Sequence, residues 1–138
     1  MVFTLGTSTR SAEEFLDLLA HYGIETLVDV RRFPTSRFEH FKGENLAALL
    51  AGEGIEYVYL GEELGGYRAG GYEAYTASEA FARGLERLEA LAATRRVAVA
   101  CSERLPWKCH RRFIGRALAQ RGWEVRHIID IGREWVPR

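Results

Sequence analysis

Two hydrophobic rhythms alternate along the chain. Val2-Phe-Thr-Leu-Gly6 is a short apolar run, and Phe15, Leu16, Leu19 and Tyr22 then share one helical face, so a strand is followed by an amphipathic helix. Ser11 and Glu14 stand at the spacing of a capping box, and Gly23 stops the helix. Glu25 to Arg31 reads as a second strand; Leu46, Leu49 and Leu50 mark a short helix ended near Gly52 or Gly54; Ile55 to Leu60 is a third strand. Thr76 and Glu79 offer another capping box before the stripe Phe81, Leu85, Leu88, Ala92. Val97-Ala-Val-Ala100 predicts a strand covered on both faces, Pro106 suits the opening of a helix striped by Phe113, Ile114, Ala117 and Leu118, and residues 123–129 give a fifth strand. The tail from Gly132 to Arg138 is too short to assign.

Strands alternating with helices predict right-handed βαβ units. The expectation is one α/β domain over residues 1–138, with a mostly parallel, five-stranded open sheet and helices on both faces, of Rossmann or flavodoxin type. With 138 residues, 47% of them hydrophobic, the chain supports one core and is short for two. Ligands of such sheets bind beyond the carboxyl ends of the strands. There the chain places Thr7 and Ser8, Asp29 and Arg31, a Gly/Tyr-rich loop, and Cys101 with Glu103.

Two connections break the rhythm. Phe33 to Phe41 carries Pro34, Thr35, Ser36, Arg37 and His40, and reads as an irregular segment with a functional part. Gly61 to Tyr75 holds glycines 61, 65, 66, 70 and 71 and tyrosines 67, 72 and 75. This composition predicts a flexible flap over the site, with Arg68 swinging a cation onto a bound anion.

Charge narrows the partners. Lys plus Arg and Asp plus Glu are both 19, so no global basicity announces nucleic acid or an anionic membrane. No apolar run is long enough to span a bilayer, and the start lacks a signal-peptide pattern, which points to a cytoplasmic protein. Two cysteines suit a reducing compartment, with a Cys101 to Cys109 bridge left open.

The chemistry concentrates between Cys101 and Arg112. A strand ends at Cys101, and Cys109, His110, Arg111 and Arg112 lie in or near the next helix's first turn, where unpaired N–H groups favour thiolates and anions. Cys101 or Cys109 is the expected nucleophile, with Glu103 or Asp29 as proton carrier. Thr7, Ser8, Arg31, Ser36, Arg68, His110 and Arg111 are candidate substrate or anion contacts. The bland alternatives are cysteines packed as small hydrophobes, Asp29 and Arg31 as a local ion pair, and structural roles for His21 and His127. Gly6-Thr7-Ser8 matches no nucleotide-binding glycine motif, so no cofactor is named. Cys101, Cys109 and His110 lack a second cluster to close a zinc site, and no metal is expected. A cysteine-plus-five-plus-arginine phosphatase pattern fails, because Trp107 and Gly115 stand at the sixth positions.

Gly6-Thr7-Ser8, Asp29-Val30-Arg31-x-x-Pro34-x-Ser36, Leu60-Gly61-x-x-Leu64-Gly65-Gly66, Cys101-x-Glu103 with Cys109-His110-Arg111, and Glu124-Val125-x-His127-Ile128 together resemble the family called domain of unknown function 488. That resemblance implies an α/β domain with its motif residues at the sheet's carboxyl edge and hands over no reaction. The expected function is an enzyme acting on a small anionic or nucleotide-like substrate through the cysteine site. The alternative is a non-catalytic nucleotide- or nucleic-acid-binding module, suggested by Arg31, Arg32, Arg37, Lys42 and Arg68 interleaved with Phe33, Phe38, Phe41 and Tyr67.

Overall fold

The unbroken apolar run Val97–Cys101 forms a central strand, and all five of its residues are buried. In the computed structural model, which describes residues 1–136, this strand is β4 of one sheet with β1 (Val2–Gly6), β2 (Thr26–Asp29), β3 (Glu56–Tyr59), β5 (Val125–Asp130) and β6 (Arg133–Trp135). The helices are α1 (Ala12–His21), α2 (Gly43–Ala51), α3 (Gly61–Leu64), α4 (Tyr72–Tyr75), α5 (Glu79–Ala92) and α6 (Arg111–Gln120). The strand order is β3-β2-β4-β1-β5-β6; β1 to β5 run parallel and β6 is antiparallel to β5.

Alternation along each strand divides the core into two layers. Phe3, Leu5, Leu27, Ala98 and Ala100 point to the face covered by α1 and α2, against Phe15, Leu19, Leu46 and Leu50. Val2, Val28, Val97, Val99 and Cys101 point to the opposite face, against Phe81, Leu85 and Leu88 of α5 and Ile114 and Leu118 of α6. Each Val, Leu, Ile or Phe side chain taken fully from water contributes about 1.5–3 kcal/mol, so burial on both faces of the sheet holds the fold together. β1 and β2 send the chain into α1 and α2 on one face, while β4 between them sends it into α6 on the other. The chain therefore parts around the carboxyl end of β4, which is where a crevice opens in an open parallel sheet.

Several expectations change. The sheet has six strands rather than five, because the polar Arg133–Trp135 pairs back onto β5 through a turn at Ile131 and Gly132; Pro137 and Arg138 of the unassigned tail lie outside the described residues. The strand order is neither the Rossmann nor the flavodoxin order. Ser11 and Glu14 form the capping box at α1, but α5 is capped by Ser78, whose hydroxyl accepts the Phe81 N–H at 3.2 Å. The Thr76 hydroxyl instead donates to the Glu73 carbonyl at 2.5 Å and closes α4. Pro106 opens a single 3-10 turn, Pro106–Lys108, and α6 begins three residues beyond it.

The Gly61–Tyr75 segment is folded. It supplies α3 and α4, with Leu64 buried in the core and Tyr72 and Tyr75 packed edge-on against Phe81. The Tyr72 and Tyr75 hydroxyls donate to the carbonyls of Leu64 and Glu63 at 2.6 and 2.7 Å, so tyrosines read as ligand covers bind this segment to itself. Among the described residues no helix is long and apolar enough to cross a membrane.

Candidate functional site

Strand parity decides what meets Cys101. Residues 97, 99 and 101 of β4 face α5 and α6, so the thiol points at the start of α6 rather than at α1. The loop from Ser102 to His110 folds back over it, passing so close to β1 that a Cβ at Gly6 would lie 2.8 Å from Arg104 Cα, a reason for glycine there. Arg104 and Arg10 both form ion pairs with Asp130, which ties this loop to the end of β5.

The Sγ atoms of Cys101 and Cys109 are 2.8 Å apart, and both thiols are free. Arg111, fully buried, donates from Nη1 to Cys101 Sγ at 3.3 Å and to the Glu103 carbonyl at 2.7 Å, and from Nη2 to the Arg104 carbonyl at 2.7 Å. Among the described residues its Nε is buried without a partner and no carboxylate contacts it. A guanidinium cannot shed its proton, so the nearest group able to carry a compensating negative charge is the Cys101 sulfur. Burial opposes that ionisation, yet the Cys109 S–H bond and the Arg111 charge overcome it and bring Cys101 down to about 7. Cys109 is pushed up, first because its proton is held in the bond to Cys101 and then by burial. The pair thus carries one proton, on Cys109.

His110 sits beside this pair. Burial lowers its pKa, with the Arg111 charge acting in the same sense, so the ring is neutral near pH 7. Nε2 lies 3.1 Å from the Val30 carbonyl, which can only accept; the single ring proton therefore belongs on Nε2. That leaves the Nδ1 lone pair 3.5 Å from Cys109 Sγ, placed to take a proton from it. His110, a candidate anion contact from sequence, thus presents an unprotonated nitrogen to Cys109 and its N–H to Val30.

These groups open on a cleft of about 780 Å³ at the carboxyl edge of β2 and β4, lined also by Arg31, Arg32, Phe33, Thr35, Gly66, Tyr67, Tyr72, Ser102, Glu103 and Lys108. Phe33 and Tyr67 stand at its mouth, 60% and 85% exposed, with ring centroids 6.1 Å apart. Arg32 donates to the Tyr67 carbonyl at 2.8 Å, and Tyr67 holds a left-handed φ of 60°. A non-glycine residue there carries backbone strain, which this contact helps to hold.

The other sequence candidates divide. Thr7, Ser8 and Ser36 line a separate polar cleft of about 350 Å³ with Arg37 and Arg104, on the other side of Ser102 and Glu103. Asp29 is fully buried and binds Arg31 through both oxygens, so it reaches neither cleft. The Glu103 carboxylate accepts the Leu105 N–H at 3.3 Å, and it is the Glu103 carbonyl that faces Cys101 and Arg111. Arg68 donates to the carbonyls of Gly65 and Glu62 and lies 4.0 Å over the Tyr75 ring, outside the cysteine cleft. Of the basic and aromatic set, Phe41 is buried and Phe38 packs on the core, leaving Phe33 and Tyr67 as exposed rings. His127 is buried with Nδ1 2.5 Å from the Thr4 hydroxyl, and His21 is exposed.

Tyr72, read from sequence only as a ring of the flap, lies 5.1 Å from the His110 ring, and sequence reasoning missed Tyr57, whose hydroxyl donates to Asp29 at 2.6 Å. Both are brought in from distant segments, and only the position of Tyr57 two residues from the end of β3 hinted at it. Among the described residues no three His, Cys, Asp or Glu side chains gather closely enough to hold a metal ion.

Fold and site together define an α/β protein with a mostly parallel sheet and a paired-cysteine cleft at its carboxyl edge. The chain belongs to the family described as Domain of unknown function DUF488, whose match covers residues 11–118 and so includes both cysteines, His110 and Arg111. Gly6-Thr7-Ser8 and Glu124 to Ile128, part of the sequence resemblance, fall outside that match. Comparison with curated proteins and with solved structures found no match.

Proposed function

We propose that the protein is an enzyme that acts on a small anionic or nucleotide-like substrate, with Cys101 as its nucleophile. The observation that carries this reading is the buried Arg111 guanidinium, which has no carboxylate partner among the described residues and contacts Cys101 at 3.3 Å. A core cysteine packed as a small hydrophobe needs no such neighbour, whereas a thiolate held ready for attack does. Cys109 and His110 handle the proton: His110 Nδ1 accepts it from Cys109 and returns it to the departing group. Arg32 and Lys108 at the cleft wall favour a negatively charged substrate, and the exposed rings of Phe33 and Tyr67 provide a surface on which a base or another flat ring stacks.

Alkylation by iodoacetamide across pH, followed residue by residue by mass spectrometry, tests the reading. Cys101 is expected to react with a midpoint near pH 7, and to react faster at neutral pH than Cys109. A midpoint at about 8.5, the value of a free thiol, sinks it.

A second reading, a non-catalytic nucleotide- or nucleic-acid-binding module, rests on Phe33, Tyr67 and Arg32 at the mouth. Fluorescence anisotropy with single- and double-stranded oligonucleotides at low salt separates the two. Binding that Phe33→Ala abolishes, alongside an unreactive Cys101, favours the module; no binding at tens of micromolar protein removes it, since non-specific affinities reach about 10⁻⁴ to 10⁻⁶ M.

A further inference from the structure

We propose that Cys101 and Cys109 form a reversible dithiol–disulfide couple, in which Cys101 is attacked by a small hydroperoxide and Cys109 resolves the product. The inference rests on the reading above only for the ionised state of Cys101, and it assigns Cys109 a covalent role that nucleophilic attack by Cys101 alone does not require.

The geometry is the first argument. With the Sγ atoms 2.8 Å apart, the sulfurs need to approach by less than an ångström to reach bonding distance. Cys109 lies just before α6, outside regular structure and with an extended backbone, so its side chain can make that approach without unwinding the helix. Access is the second argument. Cys101 is 1% exposed and lies at the wall of the cleft, which keeps out a protein disulfide and admits a small electrophile. Proton supply is the third, since His110 Nδ1 stands 3.5 Å from Cys109 Sγ.

The chemistry balances. The Cys101 thiolate attacks one oxygen of the hydroperoxide; an S–O bond forms, the O–O bond breaks, and the departing alkoxide or hydroxide takes a proton from water. Sulfur is oxidised by two electrons and the peroxide is reduced by two. Cys109 then passes its proton to His110 and attacks Cys101 Sγ; the S–S bond forms, the S–O bond breaks, and the leaving hydroxide takes the proton from His110 as water. Two equivalents of a small thiol restore the pair through a mixed disulfide, themselves becoming a disulfide.

Arg111 sets the poise of the couple. Its charge stabilises the thiolate and does nothing comparable for a neutral disulfide, so it favours the reduced state and makes the disulfide easy to reduce. Replacing Arg111 should move the equilibrium in a glutathione buffer toward the disulfide by tenfold or more.

The test treats the reduced full-length protein with one equivalent of hydrogen peroxide under argon, quenches with an alkylating agent, and maps peptides without reduction. A linked peptide pair joining Cys101 to Cys109, reversed by glutathione, supports the couple. In Cys109→Ser, a Cys101 sulfenic acid trapped by dimedone supports the order of steps. Peroxide consumption no faster than by free cysteine, oxidation starting at Cys109, or disulfides only between molecules each overturn it. Far-ultraviolet circular dichroism checks that Cys109→Ser is folded, and Arg111→Gln, which removes the charge and keeps an amide donor, serves if Arg111→Met does not fold. Rapid alkylation of Cys101 near pH 7 without any internal disulfide leaves the nucleophile reading standing and removes the couple, whereas a Cys101 midpoint of about 8.5 overturns both.

Discussion

Two buried arginines lie at the carboxyl ends of neighbouring strands, and their surroundings differ in one respect. Arg31, beyond β2, binds Asp29 through Nε and Nη2 at 2.9 and 2.8 Å and the Phe41 carbonyl at 2.6 Å, while Tyr57 donates to the same carboxylate. Charge and hydrogen bonds close on themselves. Arg111, opening α6 beyond β4, finds two carbonyls and a sulfur, and its Nε finds nothing. A guanidinium paired with a carboxylate is neutral as a unit and has nothing left for chemistry. One held by carbonyls still needs an anion, and here the adjacent cysteine supplies it. The first arrangement is closed within the fold; the second sets an ionisable sulfur beside the cleft.

Substitutions that strip each arginine of its partner sharpen the contrast. Asp29→Ala leaves the Arg31 charge buried and unpaired, and should cost about 3–5 kcal/mol in urea unfolding, the largest stability loss in the series; a cost near zero would mean Arg31 finds water or another partner. Arg111→Met removes a cation from the other site and leaves the Glu103 and Arg104 carbonyls without their donor, an expected loss of about 1–3 kcal/mol. At pH 7 the same variant should slow Cys101 alkylation about tenfold or more, because the thiol returns toward its ordinary value.

Stability against pH gives the next effect. Cys101 is held down at about 7 in the folded chain and titrates at about 8.5 when unfolded, so between these values the unfolded chain binds a proton the folded chain has released. Stability from this group therefore rises from pH 7 toward 8.5 and is lost as pH falls through 7. Cys109, pushed up, acts in the opposite sense at higher pH, where only the unfolded chain ionises it. Denaturant midpoints across pH 6.5 to 8.5 should show the rise in the wild type and lose it in Cys101→Ser; an unchanged slope breaks the claim that the thiolate is the counter-ion of Arg111.

Smaller effects bound the comparison. Tyr57→Phe deletes one of the donors to Asp29 and should cost about 1 kcal/mol, with Cys101 reactivity unchanged. Phe33→Ala, at the exposed cleft mouth, should leave stability within about 0.5 kcal/mol and weaken only the binding of ring-bearing ligands, read by calorimetry with a nucleoside monophosphate.

Local rules carried much of the architecture. The capping box at Ser11, the two-sided burial of Val97 to Ala100 and the stripe of α6 all follow from neighbours within one turn or one strand. Cys101, Cys109, His110 and Arg111 were legible as a cluster for the same reason, since a single strand-to-helix junction holds them. Asp29, expected beside Glu103 as a proton carrier for them, pairs with Ala100 and so faces α2 while Cys101 faces α6, a difference of one residue of register. The Gly61 to Tyr75 segment has flap composition, but its tyrosine hydroxyls find carbonyls and Phe81, contacts that no local pattern encodes. Thr7 and Ser8 reached the right edge of the sheet and a different cleft, because the Ser102 to Glu103 turn stands between.

What the sequence by itself determined, then, is the alternation of strands and helices and the presence of two thiols beside cations at one helix start, because those depend on spacing of a few residues. Only the tertiary structure decided which cation has an anion already and which must borrow one. Arg31 and Arg111 are indistinguishable as letters. Asp29, two residues before Arg31, pairs with it locally, while the register of β2 against β4 turns that carboxylate to the face opposite Cys101 and leaves the sulfur to Arg111; in a buried site that difference in partner determines which group carries the charge.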